Sequence, residues 1–379
     1  MTEIILTQAR LVLRDEVVAG TVVIRGGTIA EVQPGRSHLP GALDLGGDHL
    51  IPGVVDVHTD NLERQVMPRA NARWPGRSAL LAHDAQCAAA GVTTVLDALC
   101  LGDLGFDPGR GQTCRDGLRD ITALAPDGLF KAEHFLHLRC ELPAPDLMPA
   151  LDLAAGNPLV RMVSLMDHSP GVGQYRDIER YKDMRMRQKN LQVAEVETRI
   201  GELLDQRARL REPQRREVLA RYVPLGIPLA SHDDEDAGQV AANAADGILI
   251  SEFPVTMEAA VAARPLGVQV IGGAPNIVRG GSHSGNVAVA DLVREGAVDA
   301  LASDYVPAAL VEAAWRAAAA GHVTLPQAVA MVTDVPARMV RLPDRGRIAA
   351  GLRADLARIA SLGDMPFVRQ VWRAGERVA

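Results

Sequence analysis

His58 and Asp60 stand two residues apart at the end of the run Ile51-Pro52-Gly53-Val54-Val55-Asp56-Val57-His58-Thr59-Asp60-Asn61. Imidazole and carboxylate groups at the end of a buried strand are donors that a divalent metal takes. A His-x-Asp standing alone is more often a pair of loop hydrogen-bonders. Further donors strengthen the metal reading, because they too close apolar runs. His137, Arg139 and Glu141 alternate along one stretch and so share one face of a strand. Glu141, the last of them, is the best ligand of the three. His168 and His232 each close an apolar run and open a polar loop. The acids after His232 also suit a helix N-terminus. Asp304, in Ala302-Ser303-Asp304-Tyr305, can hold a metal and take a proton from an activated water, or cap the next helix. The candidate metal ligands are therefore His58, Asp60, Glu141, His168, His232 and Asp304, with Asp304 and His232 as catalytic groups.

A second set of residues suits an anion. The stretch 272–286 is glycine-rich and carries Asn276, Arg279, Ser282 and His283. Such a loop presents backbone N–H groups, and an arginine adds a planar fork. It has neither Walker A nor Rossmann spacing. Arg64 and Arg69 follow the first strand, and Arg139 lies within the third. Arg64, Arg69, Arg139, Asn276, Arg279, Ser282 and His283 are the expected substrate contacts, and a small phosphorylated substrate is the expected partner.

The elements that must position these groups alternate. Short apolar strands are expected at 54–58, 93–98, 135–141, 163–168, 228–232, 247–252, 268–272 and 300–304, with alanine-rich helices between them. That is the βαβ pattern of a parallel sheet and predicts a TIM-like (β/α)8 barrel, whose chemistry sits at the C-terminal strand ends. Both ends of the chain alternate apolar and polar residues as β-hairpins do. They predict a small β-sandwich domain from residues 1–52 plus 343–379, with the barrel at 53–342. Residues 175–222 break the rhythm. They are highly charged, with apolar groups at helical spacing, and read as an inserted helical segment whose basic residues form a solvated face.

Composition sets outer bounds. The 379 residues are 47% hydrophobic but 3% aromatic, so the core must be built from Ala, Val, Leu and Ile. A net charge of −7 argues against nucleic-acid binding while leaving room for a local basic pocket. The four cysteines form no Cys-x-x-Cys pair and suit a reducing compartment. A cytoplasmic homo-oligomer, a dimer, with no membrane span is expected.

The runs Leu50–His58 and Gly346–Leu356, with the two-ended β domain, resemble the amidohydrolase superfamily across nearly the whole chain. The usual His-x-His after the first strand is here His58-Thr59-Asp60. That departure, with Phe135–Glu141 and the segments 273–276 and 281–286, is similar to the alkylphosphonate-utilisation group associated with the carbon–phosphorus lyase pathway. The resemblance implies hydrolysis of α-D-ribose 1-methylphosphonate 5-triphosphate to the 5-phosphate with release of pyrophosphate. One or two zinc ions are the expected cofactor. The alternatives are hydrolysis of an amide or ring C–N bond, and a non-catalytic binding protein on the same fold. The arginines distinguish the first alternative, and failure to take up metal would favour the second.

Overall fold

The computed structural model describes residues 3–69, 72–105, 109–189, 192–282 and 285–379. Among the described residues, sixteen strands fall into two sheets. The first draws on both chain ends. From the N-terminal side come β1 (Glu3–Val12), β2 (Val17–Arg25), β3 (Thr28–Pro34), β4 (Leu43–Asp44) and β5 (His49–Pro52). The second sheet is parallel and follows chain order: β6 (Val54–Thr59), β7 (Val92–Leu101), β8 (Glu133–Glu141), β9 (Val160–Met166), β10 (Leu229–His232), β11 (Ile250–Glu252), β12 (Gln269–Gly273) and β13 (Ala300–Ala302). Then β14 (Leu356–Leu362), β15 (Met365–Arg373) and β16 (Glu376–Arg377) return to the first sheet. Hydrogen bonding joins that sheet into one path, β16-β15-β14-β5-β1-β2-β3, in which β14 pairs antiparallel with β5.

The parallel sheet closes into the expected barrel. Thr59 bridges Asp304, with Asp304 N donating to the His58 carbonyl at 3.0 Å and Asp60 N to the Asp304 carbonyl at 2.5 Å. The closure is thus made by the residues proposed to do chemistry. All six residues of β6 and all ten of β7 are buried, as strands covered on both faces must be. Between the two sheets, Gly53 leaves no room for a side chain: a Cβ there would lie 2.2 Å from the Thr93 hydroxyl. Several core strands are shorter than the sequence pattern suggests. β9 stops at Met166 and β13 at Ala302, so His168 and Asp304 stand just beyond their strands.

The insert is two helices, Ile178–Lys189 and Val193–Tyr222. The second buries Val196, Ile200 and Leu203, then Gln214, Val218 and Tyr222, each set at helical spacing. Its basic residues are not all solvated. Arg207 and Arg211 each reach Asp167, at 2.6 and 3.1 Å, and so tie the insert to the residue before His168. Asp236 caps the helix Ala237–Ala245 through Gln239 N at 2.8 Å, which accounts for part of the acidic run after His232.

Candidate metal centre

His58, Asp60, Arg139, Glu141, His168, His232 and Asp304 all line one cavity of about 350 Å³ at the C-terminal strand ends. Donor atoms of His58, Asp60 and Asp304 lie within 4.8 Å of one another, and so do those of His168, His232 and Asp233. His58 Nδ1 lies 2.9 Å from a Glu252 carboxylate oxygen. Its Nε2 is buried, has no hydrogen-bond partner among the described residues, and lies 3.8 Å from Asp60. A buried imidazole nitrogen aimed at two carboxylates without a partner fits a divalent metal. Glu141 accepts two bonds from His168, from the backbone N at 2.8 Å and from Nδ1 at 2.5 Å, leaving Nε2 of that ring for the cavity.

The electrostatics separate the carboxylates. Burial opposes ionisation of Asp60, but Arg139, His58 and Arg110 outweigh it and hold the group below the usual carboxylate range. Both Asp60 oxygens sit on Arg139 Nη1, at 2.7 and 2.8 Å. Asp304 goes the other way: burial and the neighbouring Asp60 charge raise its proton affinity. An acid and a base are thus distinguished by surroundings. Asp304 also holds φ +57° at the strand end, a left-handed conformation rare for a non-glycine residue.

A relative from Escherichia coli (strain K12), "Alpha-D-ribose 1-methylphosphonate 5-triphosphate diphosphatase", is 42% identical over 376 residues, which is 99% of this chain and 100% of that protein. Residues 257–379 match the Amidohydrolase family. The chain belongs to the amidohydrolase family. Among solved amidohydrolase-like folds, N-acetyl-D-glucosamine-6-phosphate deacetylase from Mycobacterium smegmatis superposes with a TM-score of 0.65 at 19% identity, covering 99% of this chain and 100% of that one. Dihydropyrimidinase from Brevibacillus agri gives 0.62 at 13% identity, covering 99% and 95%. At those identities the likeness is one of fold alone.

Of the expected substrate contacts in this amidohydrolase, some line the cavity and others lie outside it. Arg279 and Ser282 line the cavity, and Arg279 Nη1 lies 3.4 Å from the Tyr305 hydroxyl. Asn276 lines it too, but its side-chain oxygen accepts from Val289 N at 2.9 Å, so the amide braces the loop. Arg139 is bound up with Asp60. Arg64 donates to the Tyr305 carbonyl at 2.8 Å, and neither it nor Arg69 is among the residues lining the cavity. Their positions after the first strand gave no information about which way they point. His283 lies outside the described residues. Among the cavity groups that went unrecognised in the sequence are Arg110, Tyr175 and Asp233. Glu252 was also missed, although it ends an apolar strand as Glu141 does; it is fully buried beneath His58 and His232.

Proposed function

We propose that this chain hydrolyses α-D-ribose 1-methylphosphonate 5-triphosphate to the 5-phosphate and pyrophosphate, in the breakdown of phosphonates in the cytoplasm. The observation that carries the reading is 42% identity along the full length of the Escherichia coli diphosphatase, joined to a cavity of fitting chemistry. His58, Asp60 and Asp304 would hold one divalent ion, and His168 and His232 a second, with zinc favoured by the nitrogen and oxygen donor set. Bound there, the ion supplies Lewis acidity and lowers the pKa of water.

The chain's own groups account for the remaining steps. Asp304, with its raised proton affinity, takes the proton of the attacking water. His232, a ligand for the second ion and a cavity-lining ring, would orient that water. Arg139 keeps Asp60 ionised through Nη1, and its side chain lines the cavity where substrate binds. Arg279 faces the cavity, where its guanidinium offsets charge on the departing pyrophosphate. The test is incubation of zinc-loaded protein with the ribosyl triphosphate, following pyrophosphate and the 5-phosphate by phosphorus NMR. Release of orthophosphate alone, or no turnover, would overturn the assignment. A dimer is the proposed assembly, checked by light scattering.

A further inference from the structure

We propose that Glu252 is a shared positioning residue, a single carboxylate that fixes the tautomer and ring plane of two metal-ligand histidines from different strands. The inference rests on the metal-dependent reading above and goes beyond it, since Glu252 is not among the ligands named there. Glu252 is the last residue of β11 and has 0% exposure. Its Oε1 lies 2.9 Å from His58 Nδ1, its Oε2 3.4 Å from His232 Nδ1, and Ser164 donates to Oε2 at 2.5 Å.

An ionised carboxylate only accepts, so the nitrogen facing it on each ring carries the proton. Each Nε2 is thereby left as a lone pair. His58 Nε2 belongs with Asp60 and Asp304, while His232 Nε2 lies 3.9 Å from Asp233 in the other donor group. One residue therefore prepares one ligand in each group. The next residue completes the clamp. Phe253 turns back at φ +54°, and its ring meets His58 edge-on at 4.9 Å and His232 at 5.4 Å. The two imidazoles are stacked, with centroids 5.9 Å apart and planes 21° from parallel. Burying a carboxylate is costly unless its bonds serve a purpose. Setting two ligands at once is such a purpose, and partners behind ligating histidines tune metal affinity.

Glu252→Gln keeps the shape but offers one accepting oxygen and one donating NH2. It can satisfy one Nδ1–H and must repel the other. In full-length protein competing with a chromogenic chelator for zinc, E252Q should bind about 10–100-fold more weakly, the usual cost of losing such a partner. Its metal-free melting curve should match that of the wild type. Unchanged zinc affinity would overturn the proposal. A second measurement needs no variant: nitrogen-15 shifts of the metal-free wild type should report the Nδ1–H tautomer at both His58 and His232. The Nε2–H tautomer at either one would overturn it, even if E252Q did not fold. Neither readout uses the triphosphate, so a failed substrate assignment and a failed anchor are distinguishable.

Discussion

His58 joins three functions in one residue: Nδ1 is anchored, Nε2 faces the cavity, and the backbone carbonyl closes the barrel onto Asp304. His58→Ala should weaken zinc binding by more than the about 10–100-fold typical of losing an outer partner. Isothermal titration with zinc checks this, and a smaller loss would remove His58 from the ligand set. Arg279 bears on substrate instead. Arg279→Glu should cut kcat/KM for the triphosphate about 100-fold, roughly 2.7 kcal/mol of transition-state stabilisation, while leaving zinc affinity unchanged. At this scale much of the site was legible, because a switch from apolar to ionisable residues at a strand end is written locally. Direction was not. Arg64 and Arg279 look alike in sequence, and only the fold decides that one braces the Tyr305 backbone while the other faces the cavity. Glu252 ends an expected strand, but Phe253 follows it with no polar loop to single the carboxylate out.

Among the elements, the long insert helix is the least expected in its role. Basic residues on a charged helix ordinarily face water, yet Arg207 and Arg211 converge on Asp167 beside His168. Replacing both by alanine should loosen that loop and lower zinc affinity about tenfold, with helix content by circular dichroism unchanged. An unchanged affinity would make the contacts merely structural. A second network ties the helix Gly76–Ala89 to β7 and β8. His134 bonds Asp97 at 2.7 Å and Asp84 at 3.2 Å. Burial alone would lower the His134 pKa, but the two acids outweigh it and raise it from 6.5 to about 9. The stability this charge contributes is whole below about pH 6.5 and is lost as pH rises through about 9. Urea unfolding on either side of that window should show a fall of up to about 3 kcal/mol in the wild type that His134→Gln lacks. A parallel fall in both proteins would refute the role. The strand-helix alternation was readable because periodicity carries it. The ends of β9 and β13 were not, since the apolar run continues past the last ladder bond.

At the scale of the whole molecule, the two sheets divide the labour. The barrel carries the cavity, and the terminal sheet carries none of the candidate ligands. The alternating pattern at both chain ends made that division legible in advance. The hydrogen-bonded path linking β5 to β14 was not, because pairing across some 300 residues leaves no local mark.

That pairing bears on how the chain is made. Synthesis delivers β1 to β5 first, yet β5 cannot find one of its two neighbours until residues 356–362 have emerged. Throughout elongation of the barrel, the nascent N-terminal sheet holds an open edge, the kind that recruits other chains. The last strands act as a closing clasp. A version ending at Ala354 should therefore gather in inclusion bodies or bind a holding chaperone. Recovery of that version as a soluble species with a single sharp melt would contradict this order of events.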